Sequence, residues 1–182
     1  ASDIHLHDTY YVIGHFHYIV APGTIFALFA GIYYWYPKIT GRHMNTILGH
    51  LHFWPSIIFM NGIFMPMFVQ GMAGVSRRLF DGGATYAHAQ DVLPFNTMMS
   101  MSAFSLAVAQ LPFIINFFGS LKFGKKVESN PWDATTLEWA ASSPPVSHGN
   151  FETEPAVYRG PYEYSVPGAA QDFSPQFEKE GV

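Results

Sequence analysis

His15 and His17 stand two residues apart in the run Asp3-Ile-His-Leu-His-Asp-Thr-Tyr-Tyr-Val-Ile-Gly-His-Phe-His-Tyr18, inside a stretch free of charge from Thr9 to Pro37. An imidazole in such an apolar segment is costly unless paired or ligated, so it marks a functional site by default. On a helix of about 3.6 residues per turn, a spacing of two sets side chains about 200° apart. The pair therefore cannot share one metal ion, but it can serve two cofactors on either side of one helix. Neutral imidazole is a common axial ligand of haem iron, and Gly14 would let a flat macrocycle approach the backbone. Hydrogen bonding of both rings to neighbouring helices is the alternative. Nearer the N-terminus, His7 and Asp8 form an imidazole–carboxylate pair suited to a divalent cation or a water, which His5 could assist.

Three elements must position these groups. No Asp, Glu, Lys or Arg occurs between Asp8 and Lys38, between Arg42 and Arg77, or between Asp91 and Lys122. About 20 apolar residues suffice to cross a bilayer, so the pattern predicts transmembrane helices over Tyr11–Tyr36, Thr46–Ala73 and Phe95–Leu121. Pro22, Pro55, Pro66 and Pro112 fall inside these windows and would argue against helix in water; in a membrane bundle, neighbouring groups re-satisfy the freed carbonyls. Ser100, Ser102, Ala103, Ser105, Ala107 and Ala109 suit close helix packing.

Composition agrees with an all-α membrane protein. Only 12% of the 182 residues are charged, against 49% hydrophobic and 17% aromatic; soluble domains carry about a quarter charged residues. The mean hydropathy of +0.11 averages two unlike parts. Residues 1–126 carry a net +3, whereas the polar tail 127–182 carries a net −7. Neither shows the basic stripe that nucleic acid requires. The absence of cysteine excludes disulfides, iron–sulfur clusters and thiolate-bound copper or zinc within the chain. Lys38, Arg42, Lys122, Lys125 and Lys126 place their loops on the cytoplasmic side. The N-terminus and the connector Gly74–Pro94 then lie outside, and the tail is an extended inner-face segment. Arg77 and Arg78 sit on the disfavoured side, either as ordinary solvated charges or as partners of a specific anion. The start, Ala1-Ser2-Asp3, has no basic n-region and no Met, which suggests a processed terminus or a fragment.

His7-Asp8-Thr9-Tyr10-Tyr11 followed by His15-Phe16-His17-Tyr18 resembles the signature at the start of the tenth helix of haem–copper oxidase subunit I. Arg77-Arg78 after Gly71 and Gly74, Asn130-Pro131-Trp132, Thr136-Leu137-Glu138-Trp139 and Ser143-Pro144-Pro145 resemble later parts of the same subunit. Met65-Pro66-Met67-Phe68-Val69-Gln70 and Val75-Ser76 depart from the commoner forms. The resemblance implies the last three of twelve helices. It further implies His15 as proximal ligand of the high-spin, oxygen-reducing haem and His17 as an axial ligand of the low-spin haem. Arg77 and Arg78 would pair with haem propionates, and His7 and Asp8 would help bind magnesium or manganese.

The same resemblance implies a bacterial plasma-membrane oxidase carrying electrons from cytochrome c to O2 with proton pumping. It would hold two haems, of a type, with copper B ligated by the remainder of subunit I and dinuclear copper A on another subunit; subunits II and III would be partners. A quinol oxidase, a non-catalytic assembly subunit and a histidine-based metal transporter are the rival readings. His50 and His52 repeat the spacing of two and are expected to pack or hydrogen-bond, while His43, His88 and His148 are expected in solvated loops or tail.

Overall fold

The computed structural model describes residues 1–161 and 174–179, so 162–173 and 180–182 of the expected tail lie outside the described residues. The described residues form helices and no strand; Thr9–Ser76 and Arg42–Lys126 are isolated antiparallel bridges. A short α1 (Asp3–Leu6) leads into α2 (Tyr10–Thr40), then α3 (Thr46–Met72), a 3-10 turn (Ala87–Val92), α4 (Pro94–Phe123) and a short α5 (Leu137–Ala140). Of these, α2, α3 and α4 are long and apolar enough to cross a membrane, at 31, 27 and 30 residues.

The helix ends have local causes. Thr9 caps α2, its hydroxyl accepting from Tyr11 N at 3.3 Å and donating to Leu6 O at 2.7 Å. Asn45 caps α3 through Leu48 N at 3.0 Å. Buried Asn116 satisfies the same residue's backbone, accepting from Asn45 N at 2.7 Å and donating to Asn45 O at 2.8 Å. Proline shapes the interiors. α2 widens to a π-turn over Ala21–Phe26, where Pro22 lacks an N–H and its ring crowds the preceding turn. α4 tightens at Gln110, whose N–H bonds Ala107 O at 3.2 Å, and the Gln110 side chain covers Leu106 O at 3.0 Å. Pro112 follows two residues later.

The chain divides into two compact units, Ala1–Gly31 with Asn45–Phe118, and Ile32–Met44 with Gly119–Val182. In the first, α3 packs against both α2 and α4. Close approach of α2 and α3 rests on glycine: a Cβ on Gly14 would lie 3.1 Å from Phe64 O, and one on Gly71 would run into the backbone and Cβ of Tyr11. Gly14 therefore admits a neighbouring helix, where the sequence suggested room for a macrocycle.

In the second unit, Lys38 lies inside α2 and is only 7% exposed. Its Nζ donates to Ala141 O at 2.7 Å and sits 5.1 Å over the Trp139 ring. These partners explain why α2 runs past Tyr36, where the sequence had placed its end. Trp132 Nε1 donates to Tyr34 O at 2.9 Å, and Arg42 Nη1 to Gly124 O at 2.7 Å.

Candidate functional site

α2 carries the central pair, and its period separates the two rings as the spacing predicts. His15 is exposed and makes no hydrogen bond among the described residues, whereas His17 is half-buried. The His17 Nδ1 lies 2.8 Å from Ile13 O, one turn earlier. A carbonyl only accepts, so Nδ1 carries the proton and donates, and Nε2 keeps its lone pair with no hydrogen bond among the described residues. That is the tautomer an axial metal ligand needs, held by the kind of backbone bond that orients metal-binding histidines. Phe64 of α3 stacks on the ring with centroids 4.6 Å apart and planes 15° from parallel, and Phe16 lies 4.3 Å away at 31°. His17 thus fits haem iron by protonation, and His15 fits by exposure.

The N-terminal end of α2 is tied to the connector after α3. Arg77 Nη2 and Nε lie 2.6 Å and 2.7 Å from Asp8 Oδ1, and Arg77 N donates to Asp8 O at 2.8 Å. Tyr10 N donates to Val75 O at 3.0 Å. His7 Nε2 is 3.3 Å from Asp8 Oδ2, and His7 Nδ1 is 3.6 Å from Asp3 Oδ2. A cation here would find two donors, His7 Nε2 and Asp8 Oδ2, and no cluster of three His, Asp or Glu occurs among the described residues. The set fits only an ion that keeps several waters or takes further ligands from elsewhere, which is magnesium's habit. Arg77 is engaged by Asp8, while Arg78 is exposed and makes no ion pair among the described residues. Arg78 suits an external anion better than Arg77 does. Asp8 and Arg78 both adopt positive φ, 54° and 64°; non-glycine residues held there cost energy and cluster at functional sites.

The remaining histidines do other work. His52, 3% exposed, has its Nε2 3.0 Å from Gln110 Oε1, with Phe29 and Phe113 rings at 4.6 Å and 5.0 Å. His50 is exposed. His88 Nε2 is 3.4 Å from Gly74 O. In the connector, Asp81 accepts from Thr85 Oγ1 at 2.6 Å, Thr85 N at 2.9 Å and Gly83 N at 3.0 Å. The Thr85 hydroxyl first, then the two amides, hold its carboxyl below the usual carboxylate range.

Sequence reasoning did not find Phe64, the Asp8–Arg77 pair, or the bond from Tyr18 Oη to Asn61 Oδ1 at 2.6 Å. Asn61 was the available signal, a polar residue in an apolar helix; for the other two, each partner lies on a different element, and chain-local spacing carries no trace of it.

Fold and site define a helical, multi-pass membrane protein that presents imidazoles from one of its spans. Residues 1–105 match the family described as cytochrome c and quinol oxidase polypeptide I. Cytochrome c oxidase subunit 1 of Synechocystis sp. is 48% identical over 164 residues, which cover 90% of this chain and 28% of that protein. Alternative cytochrome c oxidase subunit 1 of Bradyrhizobium diazoefficiens is 42% identical over 175 residues, 96% of this chain and 30% of that protein. The subunit from Thermostichus vulcanus is 45% identical over 164 residues, with 90% and 28% covered. The chain belongs to the oxidase polypeptide I family, where it corresponds to the C-terminal part of the subunit. It spans less than a third of the length of these curated relatives.

Proposed function

We propose that the chain forms part of the catalytic subunit of a bacterial respiratory terminal oxidase, which passes electrons from cytochrome c to O2, yielding water, and couples this to proton pumping. Its own contribution is ligation and positioning. His15 would hold the iron of the high-spin haem, and His17 one axial position of the low-spin haem, both haems being of a type. Arg78, and Arg77 where Asp8 releases it, would pair with propionates through charge-assisted bonds. His7 and Asp8 would give two donors to magnesium or manganese. Copper B would be held by the remainder of subunit I and dinuclear copper A by another subunit, with subunits II and III as partners. Bound haem and copper would supply the redox chemistry, for which the protein provides ligation and electrostatics. The lysines after α4 favour a cytoplasmic tail, which would leave the N-terminus outside.

The observation that carries this reading is the His17 ring, with Nδ1 bonded to Ile13 O and Nε2 without a hydrogen bond among the described residues. Replacement by asparagine, His17→Asn, in the assembled complex is expected to remove the low-spin haem absorption while the chain still assembles; an unaltered spectrum overturns the assignment. Pyridine haemochrome analysis addresses the assembly-subunit rival, which requires haem content independent of both His15 and His17. The relatives, named as cytochrome c oxidase subunits, favour cytochrome c as donor. Oxidation of quinol but not of reduced cytochrome c would move the chain to the other branch of the family.

A further inference from the structure

The His17 ring is held from a second helix as well as from its own. The Nδ1–H bond to Ile13 O fixes the direction in which the ring nitrogens point. A bond lying in the ring plane still lets the ring tilt about it, and a stacked neighbour removes that freedom. Phe64 is that neighbour, nearly parallel at 15°. Phe16 belongs to α2 and moves with it, so Phe64 is what ties the plane of the imidazole to a different element.

Phe64 is itself fixed in place. Its carbonyl oxygen faces Gly14, where any Cβ would crowd it. One turn earlier on α3, Asn61 accepts from Tyr18 Oη at 2.6 Å and donates through Nδ2 to Ile57 O at 2.8 Å. One turn later, the Phe68 ring meets Tyr11 and Tyr18 at 4.8 Å and 5.6 Å. Asn61, Phe64 and Phe68 follow at helical spacing and share a face, so the stacked ring is bracketed on both sides by contacts with α2.

We infer that Phe64 is a positioning residue that sets the plane of the His17 imidazole, and through it the electronic symmetry of a metal centre bound at Nε2. This role rests on the proposed ligation by His17. The orientation of axial imidazole planes governs the splitting of the d orbitals in a low-spin ferric haem. That splitting is read directly as the spread of g values in electron paramagnetic resonance, and groups around a ligand also tune reduction potential.

The test uses the assembled membrane complex. Phe64→Leu is expected to retain haem content and the low-spin absorption band but to shift the low-spin g values. Phe64→Tyr, which keeps the ring, is expected to retain the parent values, and Phe68→Leu, which removes only one bracketing contact, to shift them less than Phe64→Leu does. Unmoved g values in Phe64→Leu, or an equal shift in Phe68→Leu, overturn the inference. Should Phe64→Leu fail to assemble, Phe64→Met is judged by the same criteria. A low-spin signal that survives His17→Asn sinks the ligation reading itself. Loss of that signal together with unmoved g values in Phe64→Leu removes only the role of Phe64.

Discussion

α3 turns two faces of different chemistry toward its neighbours. Toward α2 it offers Asn61, Phe64, Phe68 and Gly71, a mainly aromatic strip with a close backbone approach at its end. Toward α4 it offers His52 and Ser56, both buried and joined through Gln110, whose Nε2 donates to Ser56 Oγ at 3.1 Å. Each face involves one member of a histidine pair spaced by two. On the α2 side, His17 uses only its Nδ1 and keeps Nε2 available; on the α4 side, His52 commits its Nε2 to another helix. The same motif therefore leaves a ring nitrogen uncommitted among the described residues in one place and bridges two helices in the other. What separates them is the partner of the second nitrogen.

The largest effect that would break this contrast is a paired replacement. His17→Leu is expected to abolish the low-spin haem band, whereas His52→Leu leaves both haem bands intact in optical spectra. A lost band in His52→Leu would make the two faces equivalent and end the comparison. The next effect isolates the α2 face alone. Gly71→Ala places a methyl group against the backbone of Tyr11, which cannot swing aside as a side chain would. Overpacking of this kind costs about 1–3 kcal/mol. It is expected to lower the unfolding temperature of the solubilised complex and to broaden the low-spin haem band. On the α4 face, His52→Leu leaves the oxygen of half-buried Gln110 without its donor, a loss of about 1–3 kcal/mol. The unfolding temperature should fall while the haem spectrum stays unchanged.

How much of this was legible beforehand differs between the two faces and the helix ends. The three charge-free windows located the spans because a bilayer penalises charge along its whole thickness. The helix of α2 runs on past its window, because Lys38 finds the carbonyls of Ala141 and Ser142 at 2.7 Å and 3.4 Å and stays in it. The divergence of His15 and His17 was legible because helix period sets it, whereas the bond from His17 to the Ile13 carbonyl went unread although a spacing of four allows it. Phe64 was not legible, nor was Arg77, whose bond to Asp8 closes 69 residues of chain. Gly14 was read as space for a ligand because sequence shows the missing side chain but not what fills the gap.

A smaller effect concerns the ion pair at the N-terminal end of α2. Asp8→Asn removes the charge attraction to Arg77, yet the backbone bonds Arg77 N to Asp8 O and Tyr10 N to Val75 O do not depend on that side chain. Asp8 is 57% exposed and Arg77 24%, and exposed pairs contribute about 0.2–1 kcal/mol. The unfolding temperature should therefore move little, and the difference between variant and parent should shrink as salt is raised.

The smallest effect lies in the connector, where Asp81 belongs to neither face and is wired entirely to its own loop. Three donors from Gly83 and Thr85 converge on its ionised carboxylate, with the Thr85 hydroxyl contributing most to holding the group below its ordinary value. Because the folded loop resists protonation, the stabilisation is fully present above the unfolded carboxylate value of about 4, and it fades as pH falls through the lower folded value. Between pH 5 and pH 8, roughly, Asp81 should therefore contribute no pH dependence to the loop. Hydrogen exchange at the Gly83 and Thr85 amides, corrected for its intrinsic pH dependence, should show constant protection across that window and a loss of protection only in more acidic solution. Asp81→Asn should exchange faster at neutral pH and lose the acid transition. Equal protection in parent and variant would mean that backbone turn geometry alone holds this loop, and that commitment of a polar group to local partners does not order it.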